Sequence, residues 1–112
     1  MTNPLPIETD CRSVHSRLAA GEDLLLVDCR EQDEWNLVHI DAARLIPMSE
    51  LANRVGELAE HRDRPIAIHC HHGGRSLRVA NWLRDQGFAQ VQSMAGGIDA
   101  WAQHIDTSLA RY

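Results

Sequence analysis

Two short apolar runs, Leu24-Leu25-Leu26-Val27 and Pro65-Ile66-Ala67-Ile68, limit the folds open to this chain more than any other feature. A run that is apolar at consecutive positions suits a strand covered on both faces, the arrangement of a parallel sheet sandwiched by helices. Each run ends in polar residues: Asp28-Cys29-Arg30 follows the first, and His69-Cys70-His71-His72 follows the second. Weaker strand patterns lie at Leu5 to Glu8, where two nearby prolines suit only an edge, at Arg44-Leu45-Ile46 before Pro47, and at Val91 to Met94. Helical spacing fills the gaps between them. Val14, Leu18 and Ala19 share a face after a cap at Thr9 or Asp10, with Gly21 as the stop. Glu31 to Leu37 reads as a short helix with Trp35 inward, and Ser49 caps a helix carrying Leu51, Val55 and Leu58. Leu77 to Gln86 buries Val79, Ala80 and Leu83, with Gly87-Phe88 as its C-cap and apolar anchor. Such alternation predicts an α/β fold, with a central, mainly parallel sheet of about five strands, helices on its flanks and right-handed crossovers. Ligands of such sheets collect beyond the carboxyl ends of the strands, which is where Asp28, Arg30, Cys70 and Arg75 fall.

The stretch after the second run carries the chemistry. In Cys70-His71-His72-Gly73-Gly74-Arg75-Ser76 the glycine pair permits a tight turn with backbone N–H groups pointing inward, and the next helix adds its unpaired N–H groups. A thiol there is stabilised as thiolate by the helix end and the Arg75 guanidinium, below its unperturbed pKa of about 8.5. Cys70 is therefore the expected nucleophile, and His71 and His72 shape the mouth of the loop or place a charge near it.

Other chemistries fit less well. Four adjacent residues, His69 to His72, do not direct their side chains to one tetrahedral centre, so no metal is expected. The glycine turn lacks the lysine and spacing of a nucleotide phosphate loop. Cys11 and Cys29 read as small buried hydrophobes, though Cys29 sits beside the site and could meet Cys70 at a distance the sequence does not fix; Asp99 reads as a charge in a first helical turn, and Trp101 as core packing.

With 112 residues, 44% of them hydrophobic, the sequence suits one domain over 1–112 with its core at about 7–105. A net charge of −5 with one Phe and one Tyr offers no basic stripe or aromatic platform for nucleic acid, and no stretch is long and apolar enough to cross a membrane. Met1 to Pro6 has no basic region followed by an apolar run. Three widely spaced cysteines without a CxxC pair suit a reducing, cytoplasmic setting.

At these residues the chain resembles the rhodanese-like sulfurtransferase family over roughly Ile7 to Ile105. Asp28-Cys29-Arg30 with Glu34 is similar to the family's Asp-x-Arg…Glu segment, and His39-Ile40 to Ile46-Pro47 to its His-Ile…Ile-Pro segment. Cys70 to Arg75 is similar to its active loop, and Gly96-Gly97 with Trp101 to its closing glycine-tryptophan motif. The ending, Ile105-Asp106 to Arg111-Tyr112, is similar to rhodanese domains fused to enzymes that activate sulfur-carrier proteins. Val38, Asp41 and Ala42 replace the usual Gly, Pro and Gly, which puts that turn in question.

The resemblance implies that Cys70 takes a sulfane sulfur from a small donor such as thiosulfate or a persulfide, becomes a persulfide, and passes the sulfur to cyanide, a thiol or a sulfur-carrier protein. It implies no cofactor. His71, His72, Gly73, Gly74 and Arg75 would form the loop, with Arg75 holding the loop or the donor's charge and Asp28 and Arg30 in support. Two alternatives stand beside it. One is a non-catalytic binding module on the same fold. The other is a phosphatase or arsenate reductase, which needs five residues between Cys and Arg where this loop has four.

Overall fold

A computed structural model describes residues 5–112, so the expectation about a leader over Met1 to Pro4 lies outside the described residues. The two apolar runs become β2 (Leu25–Asp28) and β4 (Ile66–His69), the inner strands that carry the sheet. They pair in parallel, with Asp28 beside His69 at their carboxyl ends. β1 (Glu8–Thr9), β3 (Arg44–Leu45) and β5 (Val91–Met94) complete a five-stranded, wholly parallel sheet in the order β1-β5-β4-β2-β3. The result is a small α/β domain of the expected class.

Alternation along the strands sends successive side chains to opposite faces. Val27 and Cys29, with Ile66, Ile68 and Cys70, join one core with Leu51, Leu58, Val79, Leu83 and Phe88. Leu26 and Ala67 face the other core with Cys11, Val14, Ile98 and Trp101. The first layer is covered by α3 (Leu51–Arg54), a 3-10 helix (Val55–His61) and α4 (Gly74–Asp85). The second is covered by α1 (Cys11–Ala19) and α5 (Gly97–His104). Asp10 caps α1 by accepting the Ser13 N–H at 2.7 Å, and Gly21 (φ +75°) follows that helix. Gly87 (φ +97°) turns the chain after α4, and Phe88 is fully buried behind it.

Four local expectations are corrected. The edge strand lies at Glu8–Thr9, displaced toward the C-terminus, because the carbonyls of Leu5 and Pro6 are taken by Arg84 and that of Pro6 also by Gln92. Ser49 does not cap α3; its hydroxyl donates to Glu31 Oε1 at 2.6 Å, and the helix tightens to 3-10 at Val55, beside Gly56, a poor α-helix former. Trp35 does not enter the core. It stacks on His39, with ring centres 4.0 Å apart and planes within 4°, on α2 (Gln32–Leu37), a helix with no buried residue. Finally, α4 starts at Gly74 rather than Leu77, because Gly73, at φ +111°, turns the chain sharply enough for the helix to begin at once.

The replaced His-Ile segment still turns. The Ala43 N–H donates to Ile40 O at 2.9 Å, with no non-glycine residue at positive φ, so neither the usual proline nor glycine is needed there.

Candidate active site

Cys70 follows the last residue of β4, and its side chain is 1% exposed, inside the turn that leads into α4. Its Sγ receives the Gly73 N–H at 3.1 Å and the Ser76 N–H at 3.4 Å. Ser76 Oγ stands 3.4 Å from the same sulfur, and 2.7 Å from Ser93 Oγ on β5. When Ser93 donates to Ser76, the Ser76 proton is left to turn either onto Gly73 O at 3.2 Å or onto the sulfur. Cys29, fully buried, lies beside Cys70 on the adjacent strand.

These neighbours decide which of the two thiols ionises. The Cys29 S–H is the largest influence lowering the Cys70 pKa, followed by the Ser76 hydroxyl and the Ser76 and Gly73 N–H groups, against a desolvation that raises it. The contact with Cys70 and burial push the Cys29 pKa up. Negative charge therefore rests on Cys70, where the donors converge.

A second glycine turn supports the loop from beneath. Gly96 and Gly97 both have positive φ, and they deliver the α5 N–H groups of Ile98 and Asp99 to the carbonyls of Cys70 and His71 at 2.9 and 3.1 Å. No side chain fits between. A Cβ on Gly97 would lie 2.4 Å from both Cys70 O and His71 O, with φ at +57°. Gly97→Ala is expected to lower stability by about 3 kcal/mol, combining positive-φ strain with backbone overlap, and to slow any reaction of Cys70. Urea unfolding beside a thiol-reactivity measurement checks both effects.

Arg75 does not touch the sulfur. It forms a bidentate pair with Glu34 of α2 at 2.6 and 2.9 Å, which fastens the end of the loop to the neighbouring helix. The Arg75 guanidinium holds the Glu34 carboxyl down to about 2, against burial and with help from Tyr112. Asp28 and Arg30 lie one layer further back, both fully buried and paired at 2.7 Å. Arg30 also donates to Glu34 O, to Val38 O and to the Tyr112 hydroxyl. His71 is sandwiched between the rings of His72 and Tyr112, while His72 is mostly exposed, 3.9 Å from Asp99. Asp99 itself pairs with Arg111 at 2.9 Å, and Trp101 is buried as core.

Cys70, Gly73 and Arg75 thus form one loop, with Gly74 opening the helix and Asp28 and Arg30 behind. Sequence reasoning missed the hydroxyl of Ser76 on the sulfur and the packing of Tyr112; it set Cys29 beside the site without fixing its distance from Cys70. Ser76 stood at the end of the loop motif. The signal for Cys29 was its place one residue beyond β2, matching Cys70 beyond β4.

A cysteine-bearing turn at the carboxyl end of a central parallel strand defines a class of small α/β domains with a cysteine loop. This chain belongs to the rhodanese-like domain family, whose model matches residues 11–104. It is 39% identical to a sulfurtransferase of Allochromatium vinosum, over 87% of this chain and 89% of that one. It is 35% identical to the thiosulfate sulfurtransferase GlpE of Coxiella burnetii, over 81% and 83% respectively. A rhodanese-related protein of Thermoplasma volcanium superposes with a TM-score of 0.78 at 26% identity, covering 89% of this chain and 94% of that one. The chain spans only 26% of the length of the probable adenylyltransferase/sulfurtransferase MoeZ of Mycobacterium tuberculosis, at 34% identity over 90% of its own residues.

Proposed function

We propose that this protein is a sulfurtransferase that carries a sulfane sulfur as a persulfide on Cys70. The observation that carries this reading is the convergence of the Gly73 and Ser76 N–H groups on Cys70 Sγ at 3.1 and 3.4 Å. The Cys70 thiolate attacks the sulfane sulfur of a small anionic donor such as thiosulfate, and sulfite leaves. The outer sulfur of the new persulfide is again anionic, so the donors that held the thiolate hold the intermediate in turn. Cyanide or a thiol, small or on an acceptor protein, then attacks that outer sulfur, and Cys70 leaves as thiolate. His71 and His72 border the mouth, Gly73 and Gly74 shape the turn, and Glu34 braces Arg75. Asp28 and Arg30 support the strand end from behind. No cofactor takes part.

An assay with thiosulfate and cyanide, run beside an aryl phosphate, tests the reading. Thiocyanate formation without phosphate release is the expected result. Phosphate release would favour a phosphatase, and neither activity in a folded protein would favour a binding module.

The charge on Cys70 has a pH consequence. Because its pKa is lowered, alkylation by iodoacetamide is expected to be already near its plateau at neutral pH, and to fall only as pH drops through the lowered value. An ordinary thiol would still be rising through about pH 8.5. Ser76→Ala is expected to move the midpoint upward more than Arg75→Ala, because Ser76 touches the sulfur and Arg75 touches Glu34. A rate profile against pH for the three proteins decides it.

A further inference from the structure

We propose that Cys29 is a second reacting thiol, one that resolves the Cys70 persulfide by closing a Cys29–Cys70 disulfide and releasing hydrosulfide. The proposal rests on the persulfide reading of Cys70 and adds an activity to it, the reduction of a sulfane sulfur to sulfide.

The geometry comes from the register of the sheet. Asp28 lies beside His69, and the Cys29 N–H donates to His69 O at 2.9 Å, which continues the parallel pairing one residue further and sets Cys29 opposite Cys70. Alternation along the two strands puts both side chains on the face of Val27 and Ile68, and both enter the same core cluster. Neighbouring strands lie about 4.8 Å apart. Disulfides accept Cα separations of roughly 4.4–6.8 Å, a range that includes the spacing of paired strands.

Direction favours the reaction as well. Gly73 and Ser76 approach the Cys70 sulfur from the start of α4, whereas Cys29 approaches it from β2. An outer sulfur held on the α4 side leaves the inner sulfur open to attack from the β2 side. With burial and Cys70 both pushing its pKa up, Cys29 keeps its proton until it attacks. The step balances without an added oxidant. Cys29 Sγ bonds to Cys70 Sγ, the bond from Cys70 Sγ to the outer sulfur breaks, and the Cys29 proton passes to the departing sulfur, which leaves as hydrosulfide. In this step the Cys29 sulfur loses one electron, the Cys70 sulfur stays at the oxidation level it had in the persulfide, and the outer sulfur gains that one electron to reach sulfide. A dithiol reductant then restores the two thiols. Cys11 takes no part, because it lies in the core on the other side of the sheet.

The test uses the whole chain, reduced and free of oxygen, given a limiting amount of thiosulfate with no acceptor. Sulfite, sulfide and the mass of the protein are followed together. The wild type is expected to release sulfite first and then sulfide in equal amount, while a form one sulfur heavier gives way to one carrying a disulfide that peptide mapping assigns to Cys29 and Cys70. Cys29→Ser and Cys29→Ala are each expected to stop at the heavier form and release no sulfide. A wild type that keeps its extra sulfur indefinitely, or whose disulfide involves Cys11, overturns the proposal even should both variants fail to fold. Absence of sulfite and of any heavier form in all three proteins would instead overturn the persulfide reading itself.

Discussion

Cys70→Ser is expected to abolish sulfur transfer from thiosulfate to cyanide, by roughly ten-thousand-fold or more, the scale on which loss of a covalent nucleophile is felt. A serine hydroxyl does not ionise near neutral pH, so the donors at Gly73 and Ser76 have no anion to hold. The same donors explain why the other cysteines do not substitute. Cys11 starts α1 on the opposite face of the sheet, and Cys11→Ser is expected to transfer sulfur as the wild type does. Cys29→Ser keeps a hydroxyl donor beside Cys70, and its transfer to cyanide is expected to fall by less than about tenfold, the worth of one hydrogen bond. Steady-state rates at equal folded concentration measure all three. Substantial thiocyanate formation by folded Cys70→Ser would remove Cys70 from the reaction.

The largest loss of stability is expected from Asp28→Ala. Asp28 and Arg30 are both fully buried, and the carboxylate meets the guanidinium through both its oxygens, at 2.7 to 3.1 Å. Removing the carboxylate leaves a guanidinium enclosed without its counter-charge, which costs about 3–5 kcal/mol where buried pairs are broken from one side. For a chain of this size that is a fall in Tm of roughly 13–20 °C. The penalty belongs to the orphaned charge rather than to the pair. Asp28→Leu combined with Arg30→Met is therefore expected to recover part of the loss. Thermal unfolding of the three proteins checks this, and a loss below about 1 kcal/mol for Asp28→Ala would mean that water reaches the pair as it reaches a surface ion pair.

Much of this arrangement was legible in the residues, because the signals were local. The runs ending at Val27 and Ile68 announced buried strands, and Asp10, Gly87 and Phe88 announced where helices begin and end. The loop at Cys70 stood out because an apolar run, a nucleophile, two glycines and a helix adjoin within a few residues. What the residues left open, such as the distance from Cys29 to Cys70, or did not show at all, was set by strand order and side-chain reach. β2 pairs with β4 rather than only with β3, its successor in the chain, and that choice brings Cys29 against Cys70. Crossovers decide it, and no periodicity records it. Arg75 meets Glu34, and Tyr112 meets His71, Arg30 and Glu34, across long stretches of chain, so neither contact leaves a local pattern. Trp35 was read as core because a large apolar ring usually is, but a six-residue helix with no buried face leaves it stacked on His39 instead.

The central claim, that Cys70 carries the sulfur covalently, is tested most directly by rapid mixing of the reduced protein with thiosulfate labelled in its sulfane sulfur, quenched at the earliest times and mapped by peptide mass spectrometry without reductant. The label is expected on the peptide containing Cys70, with one sulfite released for each cysteine modified. Label on another residue, or no label on a folded protein that nevertheless turns thiosulfate and cyanide into thiocyanate, would contradict it.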